Sequence, residues 1–164
     1  MEVNIALLTV TDTRTFENDK SGKILVEKIK EQNHKLIDRK IVKDEKKEIK
    51  KILLDWIKKD DLDVIITTGG TGLTKRDITP EVFKSFFEKD IPGFGEIFRM
   101  LSYKKIKTST IQSRSCAGIS NGKYLFSLPG SPSACKDAWD KIIKYQLDSS
   151  FKPCNLVEIL PKLN

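Results

Sequence analysis

Residues 63–81 read DVIITTGGTGLTKRDITPE, and the reading of this stretch decides the fold. DVIITT is a short β-branched run suited to a buried strand, and it passes without a linker into the glycine loop Thr68-Gly69-Gly70-Thr71-Gly72. Thr79-Pro80-Glu81 then opens a helix, with Pro80 as a first-turn proline. Outward from here the alternation continues. Residues 3–10, VNIALLTV, suit another buried strand, and residues 11–22 a polar loop. A helix is expected from about Lys20 to Gln32 with Leu25, Val26 and Ile29 inward, followed by a strand over residues 36–42. His34 is expected as an exposed residue at the helix C-terminus, where a cation suits the dipole. Residues 45–58 carry one apolar stripe, Ile49, Ile52, Leu53, Trp56 and Ile57, with Asp44 placed to cap the first free N–H groups.

C-terminal to the glycine loop, Phe83, Phe86 and Phe87 are expected inward, Pro92-Gly93 is read as a break, and Phe94, Ile97, Phe98 and Leu101 mark a further helix. Residues 113–122 are small and polar enough for a loop or short helix. Residues 123–128 form a fourth central strand, and Ser131-Pro132 starts a long helix with the stripe Ala134, Cys135, Ala138, Trp139, Ile142, Ile143 and Leu147. Strands alternating with helices predict an α/β fold, a mostly parallel sheet covered on both faces. No linker or repeat divides the chain, so residues 1–164 are read as a single domain.

Composition narrows the chemistry. No apolar run approaches the ~18–20 residues of a membrane span, and the start carries no basic leader, so a cytoplasmic protein is expected, with no membrane partner. The three cysteines, Cys116, Cys135 and Cys154, form neither a CxxC pair nor a disulfide framework, which suits a reducing compartment. The single histidine removes a structural zinc site and a histidine-based triad. The net charge of +7 is uneven: residues 1–19 carry −3, residues 20–59 carry +7 and residues 60–164 carry +3. The excess alternates with glutamates and isoleucines, a solvated helix face rather than a nucleic-acid stripe, and no specific nucleic-acid partner is expected.

In an open α/β sheet, ligands bind beyond the carboxyl ends of the strands. Four loops leave such ends here: residues 9–14, 41–45, 67–81 and 128–133. Glycines at 69, 70 and 72 allow positive φ and close approach of backbone N–H groups to an anion. The loop is not a P-loop, because no Gly-Lys-Ser/Thr follows, and not a dinucleotide fingerprint, because Lys75 stands where the third glycine belongs. Lys75, Arg76, Asp77 and Glu81 add cations for phosphate oxygens and carboxylates for Mg²⁺, which takes one or two carboxylates plus substrate phosphates. The same charges would also suit a surface loop of self-paired ions. Asp12, Asp44 and Pro129-Gly130-Ser131-Pro132 occupy neighbouring strand ends, where each has a structural alternative as turn, cap or helix start. Ser113 and Arg114 are weak signals alone.

The stretch TTGGTGLTKRDITPE (67–81) with SLPGSPSAC (127–135) resembles the MoaB/Mog family of molybdenum cofactor biosynthesis. TVTDTRTFENDKSG (9–22), IPGFGEIFRMLSYKKIKTSTIQSRSCAGISNG (91–122) and KIIKYQLDSSFKPCN (141–155) look like its MoaB branch. The resemblance implies a three-layer α/β/α sandwich. It implies an Mg²⁺-dependent molybdopterin adenylyltransferase: the terminal phosphate of molybdopterin attacks the α-phosphate of ATP, and pyrophosphate leaves before metal insertion. The alternative is a non-catalytic molybdopterin or nucleotide carrier of the same pathway. No base-reading motif separates ATP from GTP.

By the same resemblance, Asp44 and Asp77 are the essential acidic pair, assigned to Mg²⁺ and phosphate orientation. Gly69, Gly70, Thr71 and Gly72 would cradle phosphate. Thr11, Asp12, Pro129, Gly130 and Ser131 would line the nucleotide side. Ser113 would hold the pterin or its phosphate, and Glu81 would reach ribose or a metal-bound water. Whether Arg76 meets phosphate or pairs with a neighbouring acid is open. Other enzymes of the pathway are implied as partners, as is a homotrimer or a homohexamer, with the apolar segment 94–103 as interface or as an ordinary core helix.

Overall fold

The first strand, β1 (Asn4–Val10), is apolar on both faces because both faces are covered. Ile5 and Leu7 enter one core cluster, and Ala6, Leu8 and Val10 enter the other. In the computed structural model, which describes residues 1–163, β1 pairs in parallel with β2 (Lys35–Val42) and with β3 (Val64–Thr68). β3 in turn pairs in parallel with β6 (Lys123–Leu128). The β1–β2 register slips by one residue at Ile37, a bulge in the edge strand. The sheet order is β2-β1-β3-β6-β5-β4, with β4 (Lys89–Asp90) and β5 (Cys116–Ser120) antiparallel to their neighbours.

Helices cover both faces and complete three layers. On one side lie α1 (Lys20–Glu31), α4 (Pro92–Ile106) and α5 (Pro132–Ala138), contributing Leu25 and Ile29, Phe94 and Phe98, and Cys135 and Ala138 to the core. α5 runs on through a wider π turn, Trp139–Ile143, into a last helical turn, α6 (Lys144–Gln146). On the other side lie α2 (Lys46–Ile57), burying Ile49, Leu53, Trp56 and Ile57, and α3 (Thr79–Lys84), burying Val82 and Phe83. Trp56 Nε1 also donates to Asp38 Oδ2 at 3.0 Å, tying α2 to β2. The α1 N-terminus is capped by Asp19, whose buried carboxylate accepts from Thr9 Oγ1, Gly22 N and Arg39 Nη2. Burial opposes ionisation of Asp19, but these donors outweigh it and hold its carboxyl below the ordinary value.

Two expectations are corrected. Residues 113–122 hold a strand, β5, joined to β6 through Asn121-Gly122, both at positive φ (44° and 70°), the primed turn that matches strand twist. β5 is poor in bulky residues because the Phe87 ring lies over Gly118, where any Cβ would collide with it. The break read at Pro92-Gly93 falls where β4 gives way to α4, of which Pro92 is the first residue. His34 is buried rather than exposed, its Nδ1 accepting the Val3 N–H at 3.3 Å and its ring set edge-on to Trp139.

Burial, with the nearby N-terminal charge, lowers the His34 pKa from its ordinary 6.5. The unfolded chain therefore takes up this proton first, and stability is lost as pH falls from about 6.5 toward the folded value. Melting wild type and His34→Gln between neutral and mildly acidic pH checks this. The wild-type midpoint should fall more steeply, because glutamine keeps an acceptor for Val3 and adds no titration.

Candidate active site

Four parallel strands, β2, β1, β3 and β6, end on the same side of the sheet, so the loops after them converge. Gly69 lies between two of these loops. Its N–H donates to Leu128 O at 3.0 Å, its φ is 102°, and a Cβ would collide with the Val10 carbonyl. A Cβ on Gly130 would sit 3.4 Å from the Gly69 Cα. Pro129 is fixed through its carbonyl, which accepts from Thr68 Oγ1 at 2.8 Å, while Ser131 caps α5 by accepting from Ala134 N at 3.3 Å. Thr11 shapes the β1 loop, its Oγ1 accepting from the Thr13 and Arg14 N–H groups at 3.3 Å. Arg14 then reaches across to Gly130 O at 3.0 Å.

Gly70, at φ 67°, faces the Asp44 carboxylate directly: a Cβ would lie 3.0 and 3.2 Å from its two oxygens and would collide with Thr79 Oγ1. The Gly70 carbonyl accepts the Thr79 N–H at 3.1 Å. Asp44 does not cap α2. Glu45 holds the cap position without a side-chain bond, and Asp44 turns toward the glycine loop, where the nearby Ile78 N–H favours its charge. Its Oδ1 is buried with no protein partner, as is Thr79 Oγ1. Burial, reinforced by Asp77 and Asp12 nearby, pushes the Asp44 carboxyl above its ordinary 3.8.

Asp77 closes the loop. Its Oδ2 accepts from Thr74 N at 2.9 Å and Thr74 Oγ1 at 2.6 Å, and lies 2.8 Å from where a Gly72 Cβ would stand. Burial works against its charge, but these donors, the Gly72 N–H and the nearby Arg114 hold it below 3.8. Arg76 pairs with acids of neighbouring loops, taking both Asp12 oxygens (2.9–3.2 Å) and Glu45 Oε1 (2.8 Å). Asp12 Oδ1 also accepts the Asp44 N–H at 3.1 Å. Its pKa is lowered, first by the Arg76 bond and then by that backbone donor. Thr71 is buried within the loop.

Ser113 and Glu81 lie apart from this cluster, in the wall of a cavity of about 590 Å³ that Lys84, Arg99 and Arg114 also line. Glu81 pairs with Arg114, and Ser113 Oγ sits 3.4 Å from Ser115 Oγ. Arg14, Thr79, Lys84 and Arg99 carry no signal for the site in the sequence, and Arg114 carries only a weak one. The Arg114 contacts run to residues 33–42 positions away, beyond any local pattern. Cys116 also lines the cavity, but burial pushes its thiol up to about 11, and that of Cys135 to about 12, so neither supplies a thiolate at neutral pH.

Among the described residues, no group of three or more His, Cys, Asp or Glu side chains could hold a metal ion. The free Asp44 Oδ1 fits a cation that completes its shell with phosphate oxygens and water, as Mg²⁺ does. No helix of the described residues is long and apolar enough to cross a membrane.

The sequence pattern of a family described as "Probable molybdopterin binding domain" matches residues 6–149. The chain belongs to the MoaB/Mog family. Molybdenum cofactor biosynthesis protein B of Escherichia coli K12 is 45% identical over 158 residues, covering 96% of this chain and 93% of that protein. Its counterpart of the same name in Bacillus cereus is 46% identical over 147 residues, covering 89% and 87%. A crystal structure of a molybdenum cofactor biosynthesis protein B superposes with a TM-score of 0.89 at 42% identity, covering 99% and 96%. The tungsten cofactor synthesizing protein MoaB from Pyrococcus furiosus superposes at 0.83 with 36% identity, covering 99% and 97%. The MoaB/Mog sandwich is therefore the fold seen here, with its antiparallel edge.

Gly70 and Gly93 provide a contrast within one chain, since a Cβ at Gly93 meets nothing within 4 Å. Gly70→Ala should destabilise by about 1–3 kcal/mol and displace Asp44, whereas Gly93→Ala should be neutral or stabilising by up to ~1 kcal/mol. Urea unfolding of the two variants checks both.

Proposed function

We propose that this chain acts in molybdenum cofactor biosynthesis as a molybdopterin adenylyltransferase. The observation that carries the reading is the buried, unpartnered Asp44 Oδ1 set against the positive-φ glycine loop. A phosphate monoester nucleophile arrives already ionised, so the missing histidine base is no obstacle. What the reaction needs is two polyanions brought together and charge stabilised as it develops.

The residues divide that work. The backbone of Gly69, Gly70, Thr71 and Gly72 would approach the phosphates of ATP, and Thr11, Asp12, Pro129, Gly130 and Ser131 would border its nucleoside. Asp44 would hold Mg²⁺, which supplies electrostatic stabilisation of phosphate oxygens when bound. Asp77 would orient the same group across the loop that it closes. Arg76, exposed and tethered only through surface ion pairs, would exchange Asp12 and Glu45 for phosphate at small cost. The cavity wall bearing Ser113 and Glu81 would take the pterin. The outer face of α4, where Ile97, Met100, Tyr103 and Ile106 are about half exposed, would meet further copies of the chain in a trimer or hexamer.

The test is pyrophosphate release from Mg·ATP, which should require molybdopterin and vanish in Asp44→Asn and Asp77→Asn. Wild type that binds both ligands and releases no pyrophosphate would instead be a carrier. A second readout is independent of turnover. Because the folded pKa of Asp44 is raised, its charge weakens the fold at neutral pH, a penalty relieved as pH falls through the folded value. Asp44→Asn should therefore raise the unfolding midpoint at pH ~7 while abolishing transfer.

A further inference from the structure

Arg114 precedes β5, on the antiparallel side of the sheet, yet its guanidinium lies against the glycine loop that follows β3. Nε donates to Gly72 O at 2.8 Å, Nη2 donates to Asp77 O at 2.6 Å, and Nη1 pairs with Glu81 at the start of α3. Gly72 and Asp77 are the two sides of one turn, since the Asp77 carboxylate packs under the bare Cα of Gly72. One rigid plane therefore holds both sides of the turn and the helix after it. Lysine could not do this. Its ammonium is a point donor, whereas the planar fork presents five N–H groups in fixed directions.

The same side chain forms part of the wall of the 590 Å³ cavity, beside Ser113 and Ser115. Three of its N–H groups are spent on the loop and α3, which leaves two. The side chain is 27% exposed, so it is clamped but not sealed from the cavity. The segment bearing it is itself held from α4, where Arg99 Nη1 donates to Ser115 O at 3.1 Å.

The geometry points to Arg114 as the positioning residue for Asp77, linking what fills the cavity to the carboxylate that faces the phosphates. This rests on the proposed role of Asp77 in adenylyl transfer. The link to Asp77 is through its backbone carbonyl and through the turn, so Arg114 acts by placement and not by touching the reacting atoms.

The experiment compares wild type, Arg114→Ala and Arg114→Lys in three measurements. Hydrogen exchange should show residues 70–78 opening faster in both variants while the amides of β1, β3 and β6 stay protected. In the transfer assay, kcat should fall roughly a hundredfold in Arg114→Ala, the scale of a small misplacement of reacting groups, with KM for Mg·ATP within a few-fold of wild type. Guanidinium ion at millimolar concentration should restore part of kcat in Arg114→Ala and none in Arg114→Lys, whose ammonium fills the place. Unchanged exchange in residues 70–78, or unchanged kcat in a folded Arg114→Ala, overturns the inference. If wild type transfers no adenylyl group, the functional reading fails on its own, and hydrogen exchange alone then decides whether Arg114 places the loop. If Arg114→Ala does not fold, Arg114→Lys carries the same comparison.

Discussion

Gly70 carries no side chain, and three elements meet in the space this leaves. The loop after β2 brings the Asp44 carboxylate to it, the loop after β3 supplies the glycine itself, and the first residue of α3 brings Thr79. The parallel register of β2, β1 and β3 is thereby converted into the position of one carboxylate. The same contact sets its chemistry: the polar loop that Asp44 packs against also keeps water from it, and that burial is what makes its proton harder to lose. Geometry and acidity come from one packing constraint.

Most of the fold was legible because its residues answer local demands. β1 and β3 are mostly apolar and β-branched since both faces are covered, and positive φ at Gly69 and Gly70 leaves glycine as the residue that fits. The errors fall where a local pattern supports two structures. An aspartate just before a helix satisfies a capping rule, and only the distant Gly70 backbone turns Asp44 away from that duty. β5 looks like a loop because its residues are small, and they are small because Phe87 comes from elsewhere to lie on Gly118. His34 looks like a terminal helix cation until Val3 and Trp139 close over it. Arg114 was invisible as a clamp for the same reason: every acceptor it uses is brought by the topology and by no spacing in the sequence.

The distribution of charge is more local than the net value suggests. Around the loops the ions are matched, Arg76 with Asp12 and Glu45, Arg114 with Glu81. Exposed pairs of this kind add little stability, though each joins residues of two different loops or elements. Lysines outside these pairs include Lys75 in the glycine loop and Lys46, Lys47, Lys51 and Lys58, which are exposed on or beside α2, a solvated face as their spacing implied.

The bulge at Ile37 lies on the one long strand whose outer edge has no strand partner among the described residues. That edge also bears Lys35, Asp38, Arg39 and Lys40, and Arg39 reaches inward to the buried Asp19 under the α1 N-terminus. A strand from another molecule that tried to extend the sheet would meet a broken hydrogen-bond repeat and a row of charges to desolvate. The irregularity that interrupts β2 thus makes this edge a poor template for a second sheet.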